Sequence, residues 1–312
     1  MAALALRLLF FFQFSAITDD SHIYANLATN WMQHGVYGQT QGGQPEKQLV
    51  PTDARLPGYP AFLAGIFWLF GIGNFKAVML AQILVDLATC LIVADLAQRT
   101  VSERAARIAF VLAALCPFLA NYAAAVLTET LEIFFTALAL DCAAAALNRM
   151  PEAGVENQAD TGALNRTYRK FWAAAGAGIA ACILVRPDGG ILLAAVAVYL
   201  ASLAWRHPAR RKQMADILVA GMIVSVIALA PLAPWTIRNF RTLHHSSHWL
   251  RGTPTRRMNS SPEVSTAGSK PGSPTTLRWK KSTGTFPARR LTRENCHRVP
   301  SIIWRKGTRP WP

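Results

Sequence analysis

The sequence is short of charged residues and of paired cysteines. Charged side chains occupy 16% of its 312 positions, and hydrophobic ones occupy 52%, whereas soluble domains usually contain about 25% charged residues. Its five cysteines stand singly and no CxxC pair occurs, so we expect neither a zinc site nor a disulfide framework. No glycine-rich phosphate loop is present either. So apolar a chain with so little charge is not a simple soluble enzyme.

The remaining charge is unevenly distributed along the chain. Residues 244–312 contain 14 Lys and Arg against 2 Asp and Glu, so this last fifth carries +12 of the net charge of +15. The segment is rich in Arg, Ser, Thr, Pro and Gly, and has too little apolar surface to offset chain entropy. We therefore divide the chain into an apolar core, residues 1–243, and a basic tail, residues 244–312, which we expect to be disordered.

Three interpretations of the tail stay open. The composition changes abruptly at the start of the tail and is typical of out-of-frame translation of a GC-rich gene. A frameshift product is therefore the favoured interpretation. It can also be a genuine disordered tail. The third interpretation is a basic arm that binds anionic lipid or nucleic acid.

The core contains more long apolar segments than a soluble fold explains. A helix needs about 20 mostly apolar residues to cross a bilayer. The pattern predicts an all-α, polytopic membrane helix bundle with about seven spans. The predicted spans are residues 1–17, 75–96, 108–127, 131–147, 171–185, 189–205 and 217–231.

Loop charge predicts the orientation of these spans. With residues 18–59 placed outside, the inner loops carry eleven basic residues and the outer segments before the tail carry four. Positive charge accumulates on the cytoplasmic side of membrane proteins. We therefore expect a multi-pass protein of the bacterial inner membrane whose large first loop faces the periplasm.

The first loop itself shows helical signals. Apolar residues recur at helical spacing from Asp19 to His34, and Gly35 is a natural stop. A polar stretch, 38–47, precedes a second apolar segment, 61–70, which is too short to span. Both segments are predicted to be amphipathic helices that lie at the membrane interface.

Acidic residues at the outer helix ends are candidates for catalysis. Asp19 and Asp20 begin the first interfacial helix, and Glu129 lies at the outer end of the third span. Helix capping is the alternative for each, with Thr128 as the cap next to Glu129, because such residues stabilise helix N-termini. One cap does not need two adjacent aspartates. Glu132 lies one turn deeper and is expected to be paired or to face water.

Arginines at the same face are candidates for binding a phosphate. Arg55 precedes the motif Leu-Pro-Gly-Tyr-Pro, and Arg186 and Arg238 stand at outer span ends. A guanidinium group binds phosphate through two parallel hydrogen bonds. Anchoring at the membrane interface is the alternative for each of them.

The order of these motifs resembles that of a known enzyme family. Asp20-Ser-His-Ile-Tyr24-Ala-Asn-Leu-Ala28, followed by His34-Gly-Val-Tyr37-Gly, is similar to the first-loop signature of large-loop membrane glycosyltransferases. These GT-C-type enzymes use polyprenyl-phosphate sugars and include aminoarabinose transferases and protein O-mannosyltransferases. The similarity covers roughly residues 1–243. It continues at Arg55-Leu-Pro-Gly-Tyr-Pro-Ala-Phe-Leu-Ala64, Leu69-Phe-Gly71, Leu127-Thr-Glu129, Val185-Arg-Pro187 and Pro234-Trp-Thr-Ile-Arg-Asn239.

The resemblance implies a hexosyl or pentosyl transferase with its active site at the outer face of the inner membrane. The family's catalytic aspartate corresponds to Asp20, with Asp19 as the fallback, and its second acidic position to Glu129. The donor-phosphate contact corresponds to Arg55, with Arg238 as a second candidate. In such a reaction a carboxylate accepts the proton of the acceptor hydroxyl and an arginine stabilises the departing phosphate.

The resemblance also implies the partners. They are a polyprenyl-phosphate-linked sugar donor, an acceptor that is a lipid, a glycan or a protein, and membrane lipids, but not nucleic acid. Some relatives have an acidic metal ligand where this chain has Ala54, so we assign no cofactor and leave a divalent metal open. Relatives continue into further spans and a soluble domain where this chain has its tail, so inactivity through truncation is one expectation.

A membrane protein without enzymatic activity is the alternative. In a transporter, Asp86, Glu132 and Asp141 would form an ion path. Burying an acidic side chain in a membrane costs free energy, so such residues are candidates for a function. Asp95 is a fourth such acid. Transporters often contain internal repeats, and this sequence shows none, which favours the enzyme. An assembly subunit that keeps the fold without the activity is the third possibility.

Overall fold

The computed structural model describes residues 1–41, 48–150, 158–206 and 211–243. The tail, 244–312, lies outside the described residues, so its predicted disorder stays a prediction. The described part of the chain is mostly helical and contains one two-stranded antiparallel sheet. In chain order, the elements are α1 (Ala2–Gln13), α2 (Asp19–His34), β1 (Gly38–Gln41), β2 (Gln48–Pro51), α3 (Gly58–Phe70), α4 (Phe75–Thr100), α5 (Glu103–Ala114), α6 (Pro117–Ala123), α7 (Glu129–Leu147), α8 (Gln158–Val185), α9 (Gly189–Arg206), α10 (Arg211–Leu229) and α11 (Leu232–Leu243).

The mostly helical architecture is confirmed, but the predicted count of about seven spans is not. Within the described residues, four helical stretches are long and apolar enough to cross a membrane: Phe75–Thr100, Glu129–Leu147, Arg166–Val185 and Met214–Leu243. A fifth is possible if α5 and α6, which meet at an angle of 53°, form one broken span. Pro117 explains that break, because proline disfavours a helical conformation in the residue before it. The first predicted span is the short helix Ala2–Gln13.

Helix α2 has the bounds that the sequence predicts. Its N-cap, however, is neither of the two aspartates considered for that role. Thr18 is the N-cap: its hydroxyl accepts a hydrogen bond from the backbone N–H of Ser21 (3.3 Å), and the Ser21 hydroxyl accepts one from the backbone N–H of Thr18 (3.0 Å). This capping box satisfies the helix end without a carboxylate. Gly35 ends the helix in the left-handed conformation that glycine tolerates best.

Two local predictions for the rest of the first loop are wrong. Helix α3 begins at Gly58, three residues before the predicted start, because Pro60 stands in the first turn, where its missing N–H breaks no hydrogen bond. The sequence also predicted no strand in this loop, whereas β1 and β2 pair with Gly38 opposite Pro51. The Asn30 side chain stabilises this hairpin by donating to the Gly38 carbonyl at 2.9 Å.

Small residues let the long helices approach closely around α8. An added Cβ at Gly178 would lie 3.0 Å from the Cβ of Ala139 in α7, and one at Gly176 would lie 3.1 Å from the Val224 carbonyl in α10. Such contacts are typical of helix pairs in membranes, where packing replaces the hydrophobic effect as the driving force. Trp172 in α8 is fully buried in the resulting core.

The bundle has two ends that contacts identify. We call one of them the upper end. There the segment before α2 pairs with the segment before α7 through a β-bridge between Ala16 and Ala125. At the other, the lower end, the Arg99 guanidinium of α4 bonds Asp141 of α7 at 2.9 Å and the Asn148 side chain donates to the Arg99 carbonyl. The predicted catalytic and phosphate-binding residues belong to segments at the upper end.

Candidate functional site at the upper end

The start of α2 is fixed against the segment that leads into α7. The backbone N–H of Ala16 donates to the Ala124 carbonyl at 3.1 Å, and that of Val126 donates to the Ala16 carbonyl at 3.2 Å. The Ser21 hydroxyl adds a bond to the Val126 carbonyl at 2.8 Å. These bonds hold the first turn of α2 beside the first turn of α7, although more than 100 residues separate them in sequence.

The start of α3 is fixed against the end of α8 in a similar way. A Cβ on Gly58 would lie 2.6 Å from the backbone carbonyl of Leu184, so only glycine allows this approach. The close contact brings the Arg55 segment, which precedes α3, to the end of α8, where Arg186 follows. Four segments therefore meet at the upper end.

Arg55 and Asp20 form an ion pair at this meeting point. Their Nη2 and Oδ1 atoms are 2.9 Å apart, and the two side chains are 36% and 52% exposed. The Arg55 guanidinium also lies over the ring of Tyr24, 5.8 Å from its centroid. Tyr24 follows Asp20 by one helical turn, so both belong to the same face of α2. The Nε atom of Arg55 is buried and has no hydrogen-bond partner among the described residues.

The structure distinguishes the two candidate aspartates. Asp20 is the one that meets Arg55, and Asp19 stands beside it in the first turn of α2 without joining that ion pair. Thr18 and Ser21 satisfy the helix end, so capping does not account for the position of Asp20. Both carboxylates still lie where the positive end of the helix favours negative charge.

Arg186 is the centre of a second cluster. Its guanidinium lies 3.2 Å from a carboxylate oxygen of each of three residues, namely Glu129, Glu132 and Asp188. The Thr128 side chain makes no capping bond to α7. Sequence reasoning treated Arg186 mainly as an interface anchor and missed this role. The signal that could have revealed it was the group of carboxylates at the helix ends predicted to face outside, since a nearby cation stabilises such a group.

Charges of both clusters act on Tyr24, those of Arg55 and Asp20 from the first cluster and those of Glu129 and Arg186 from the second. Burial raises the pKa of the Tyr24 phenol above its ordinary value, and the charges of Asp20 and Glu129 add to that rise while Arg55 opposes it. The phenol is therefore a neutral hydrogen-bonding group at physiological pH. The arrangement offers two carboxylates and two guanidinium groups around one aromatic ring.

Arg238 has protein partners for both of its terminal nitrogens. Nη1 donates to the Thr52 carbonyl at 2.9 Å and to Asn239 Oδ1 at 2.8 Å, while Nη2 donates to the Tyr37 carbonyl at 2.5 Å. It also lies over the rings of Tyr37 and Trp235. The structure thus places Arg238 on the hairpin and not in the pair of Asp20 and Arg55. Its expected contact with a donor phosphate stays a prediction.

The remaining acidic candidates are each paired with an arginine. Asp86 contacts Arg7 at 2.7 Å in the buried core, and Asp95 and Asp141 both contact Arg99 towards the lower end. Asp86, Glu132 and Asp141 therefore have three different arginine partners, an arrangement that does not favour the ion path of a transporter. Within the described ranges, no group of three or more His, Cys, Asp or Glu side chains is arranged to hold a metal ion.

These observations define a helical membrane protein with an acid–arginine cluster at one end of its bundle. The sequence model of the dolichyl-phosphate-mannose-protein mannosyltransferase family matches residues 51–152. No curated protein and no solved structure matches the chain. The matched third of the chain includes Arg55 and Glu129, whereas Asp20 precedes it. The match supports a membrane glycosyltransferase.

Proposed function

We propose that this chain moves a sugar from a polyprenyl-phosphate donor to an acceptor hydroxyl at the outer face of the cytoplasmic membrane. The observation that carries the proposal is the half-exposed ion pair of Asp20 and Arg55, which joins a carboxylate and a guanidinium from segments 35 residues apart. The match to a mannosyltransferase family over residues 51–152 supports the same reaction class. The resemblance to aminoarabinose transferases leaves the sugar, hexose or pentose, open to test.

The two groups of the pair suit the two halves of the reaction. The acceptor oxygen forms a bond to the anomeric carbon while the bond from that carbon to the phosphate oxygen breaks, and the phosphate leaves with the electron pair. Asp20 accepts the proton of the acceptor hydroxyl as general base. Arg55 stabilises the negative charge that accumulates on the departing polyprenyl phosphate.

The donor phosphate would displace Asp20 from Arg55. Both side chains are exposed enough for exchange, and an exposed ion pair costs about 0–1 kcal/mol to open. A phosphate oxygen that draws the guanidinium outward would also supply a partner for the unpaired Nε of Arg55. The exchange frees the Asp20 carboxylate at the moment when the acceptor needs a base.

Glu129 is proposed as the second acidic group of the site. Arg186 contacts its carboxylate at 3.2 Å and also contacts Glu132, and the Glu129 charge acts on Tyr24. We propose that Glu129 accepts hydrogen bonds from the hydroxyls of the sugar or the acceptor. Asp19 stays the fallback base.

The outer location rests on the distribution of basic residues. Arg99, Arg104, Arg107 and Arg149 all belong to lower-end segments, as the positive-inside pattern requires of a cytoplasmic face. We expect an impermeant maleimide to label His34→Cys, but not Val101→Cys, in intact spheroplasts, in a chain whose native cysteines are changed to serine. Both positions are exposed, and they lie at opposite ends of the bundle. Labelling of Val101→Cys alone would reverse the proposed orientation.

The reaction is tested with the purified chain in liposomes that contain undecaprenyl-phosphate-linked mannose, glucose or aminoarabinose. Asp20→Asn is expected to lower the transfer rate by about 10²–10⁴, because it removes a positioned general base. Asp19→Asn is the matched control, since it makes the same change of charge in the same helical turn. Equal rates for the two variants would remove Asp20 from the mechanism. Absence of transfer by the wild type with all three donors would favour an assembly subunit.

A further inference from the structure

The side chain of Tyr37 connects the hairpin to the segment that carries Arg55. Its single hydroxyl proton is shared between the Arg55 carbonyl at 3.0 Å and the Leu56 carbonyl at 3.2 Å. Burial raises the pKa of the Tyr37 phenol well above its ordinary value, so the hydroxyl keeps its proton and remains a donor throughout the physiological range. This shared hydrogen bond fixes the backbone from which the Arg55 side chain extends.

Tyr37 is in turn fixed by α11. Arg238 donates to the carbonyl of Tyr37 before β1 and to that of Thr52 after β2, so one guanidinium holds both ends of the hairpin. The Trp235 ring meets the Tyr37 ring edge-on at 5.0 Å, and the Trp31 ring of α2 does so at 5.4 Å. Tyr37 is 4% exposed. The contacts therefore run from α11 through Tyr37 to Arg55, and from there to Asp20.

We infer that Tyr37 and Arg238 are positioning residues that hold Arg55 against α2. The inference rests on the proposed function, in which Arg55 contacts the donor phosphate, and it gives Arg238 a supporting role in place of direct phosphate contact. Neither residue needs to touch substrate in this account. Tyr37 acts through the backbone of Arg55, and Arg238 acts through Tyr37.

The location of Arg55 explains why such support is needed. Arg55 belongs to a segment without helix or strand between β2 and α3, and an arginine there has freedom in both its backbone and its long side chain. A misplacement of about 1 Å in a positioning group can cost about 10² in rate. The hydroxyl of Tyr37 removes the backbone part of that freedom.

The first test is independent of activity. Asp20→Cys and Arg55→Cys are combined in a chain whose native cysteines are changed to serine, and the rate of crosslinking by a short bis-maleimide is measured in detergent. Adding Tyr37→Phe should lower the rate about threefold to tenfold, because one hydrogen bond of moderate strength is lost. Arg238→Lys, which loses the fork geometry, should also lower it.

Matched controls are available for both substitutions. Tyr199→Phe changes a half-exposed tyrosine of α9, and Arg241→Lys changes an exposed arginine three residues beyond Arg238 in α11. Both should leave the crosslinking rate unchanged. Equal rates for Tyr37→Phe and Tyr199→Phe, with both chains folded by thermal melting, would overturn the inference. Should Tyr37→Phe fail to fold, the comparison of Arg238→Lys with Arg241→Lys decides it.

The second test asks whether Tyr37 acts through Arg55. Binding of undecaprenyl phosphate to the full chain in nanodiscs is measured for Tyr37→Phe, Arg55→Gln and the double variant. We expect Tyr37→Phe to weaken binding about threefold to tenfold in the wild-type chain and to have no further effect once Arg55 is Gln. Additive effects would show a general structural role and contradict the inference. A wild type that binds no undecaprenyl phosphate would refute the proposed function. The crosslinking experiment would still test whether Tyr37 positions Arg55.

Discussion

Two of the arginine–aspartate ion pairs that join distant segments of this chain differ sharply in their surroundings. The pair of Arg7 and Asp86, in α1 and α4, has side chains that are 0% and 3% exposed, whereas the pair of Arg55 and Asp20 has side chains that are 36% and 52% exposed. The chemical groups are the same. Their different burial distinguishes a pair that stabilises the fold from a pair that can exchange partners.

The buried pair has no capacity for a ligand. The Arg7 guanidinium donates to Asp86 and to the carbonyls of Ala113 and Ala114, which end α5 just before its break. It thereby adds hydrogen bonds to carbonyls at the end of this helix, where the regular intrahelical pattern stops. In the exposed pair, Nε of Arg55 has no hydrogen-bond partner in the described part of the chain. An incompletely bonded, accessible guanidinium is suited to a phosphate, and a fully bonded, buried one is not.

The largest effect on stability is expected from breaking the buried pair. Asp86→Ala should lower the free energy of unfolding by about 3–5 kcal/mol, because Arg7 would remain as an unpaired buried charge. Asp20→Ala should lower it by about 0–1 kcal/mol, the usual value for an exposed pair. Unfolding of both variants in mixed detergent–SDS micelles measures the difference. Similar losses for the two variants would remove the distinction between the pairs.

A smaller loss of stability is expected where α3 meets α8. Gly58→Ala places a Cβ 2.6 Å from the Leu184 carbonyl, so α3 must shift, at a cost of about 1–3 kcal/mol. Gly65→Ala, in the same helix, meets nothing within 4 Å and should be neutral or slightly stabilising. The same unfolding assay compares them. A neutral Gly58→Ala would show that the Arg55 segment tolerates movement of α3.

The smallest of the three stability effects concerns the cap of α2. Thr18→Ala should lower the free energy of unfolding by about 0.5–2 kcal/mol, since the N–H of Ser21 loses its acceptor. Thr18→Ser keeps the hydroxyl and should retain most of the stability. A larger loss for Asp19→Ala than for Thr18→Ala would mean that an aspartate, and not Thr18, stabilises the helix end.

Sequence reasoning predicted the features that depend on local patterns. The bounds of α2, its stop at Gly35 and the start of α4 at Phe75 follow from apolar spacing and turn residues, which act over a few neighbouring positions. The grouping of Asp20, Arg55 and Glu129 at one end followed from assigning each loop to a side of the membrane. Both kinds of inference need no knowledge of packing.

The sequence alone could not predict which side chains of the site contact each other. Asp20 and Arg55 are 35 residues apart, and Glu129 and Arg186 are 57 apart, so their pairing depends on how the helices pack. The hairpin was missed because its strands are four residues long and lie in a polar stretch that favours loops. The family resemblance favoured Asp20 over Asp19, but the sequence could not predict that Asp20 is the one that contacts Arg55.

The most direct test of the exchangeable pair is the affinity of the full chain for undecaprenyl phosphate in nanodiscs. We predict that Arg55→Gln weakens binding at least about tenfold, as expected for the loss of charge-assisted hydrogen bonds. Asp20→Asn should bind as tightly as the wild type or more tightly, because the carboxylate that competes for Arg55 is gone, and yet should transfer sugar about 10²–10⁴ times more slowly. Weaker binding by Asp20→Asn, to the same extent as by Arg55→Gln, would contradict the account.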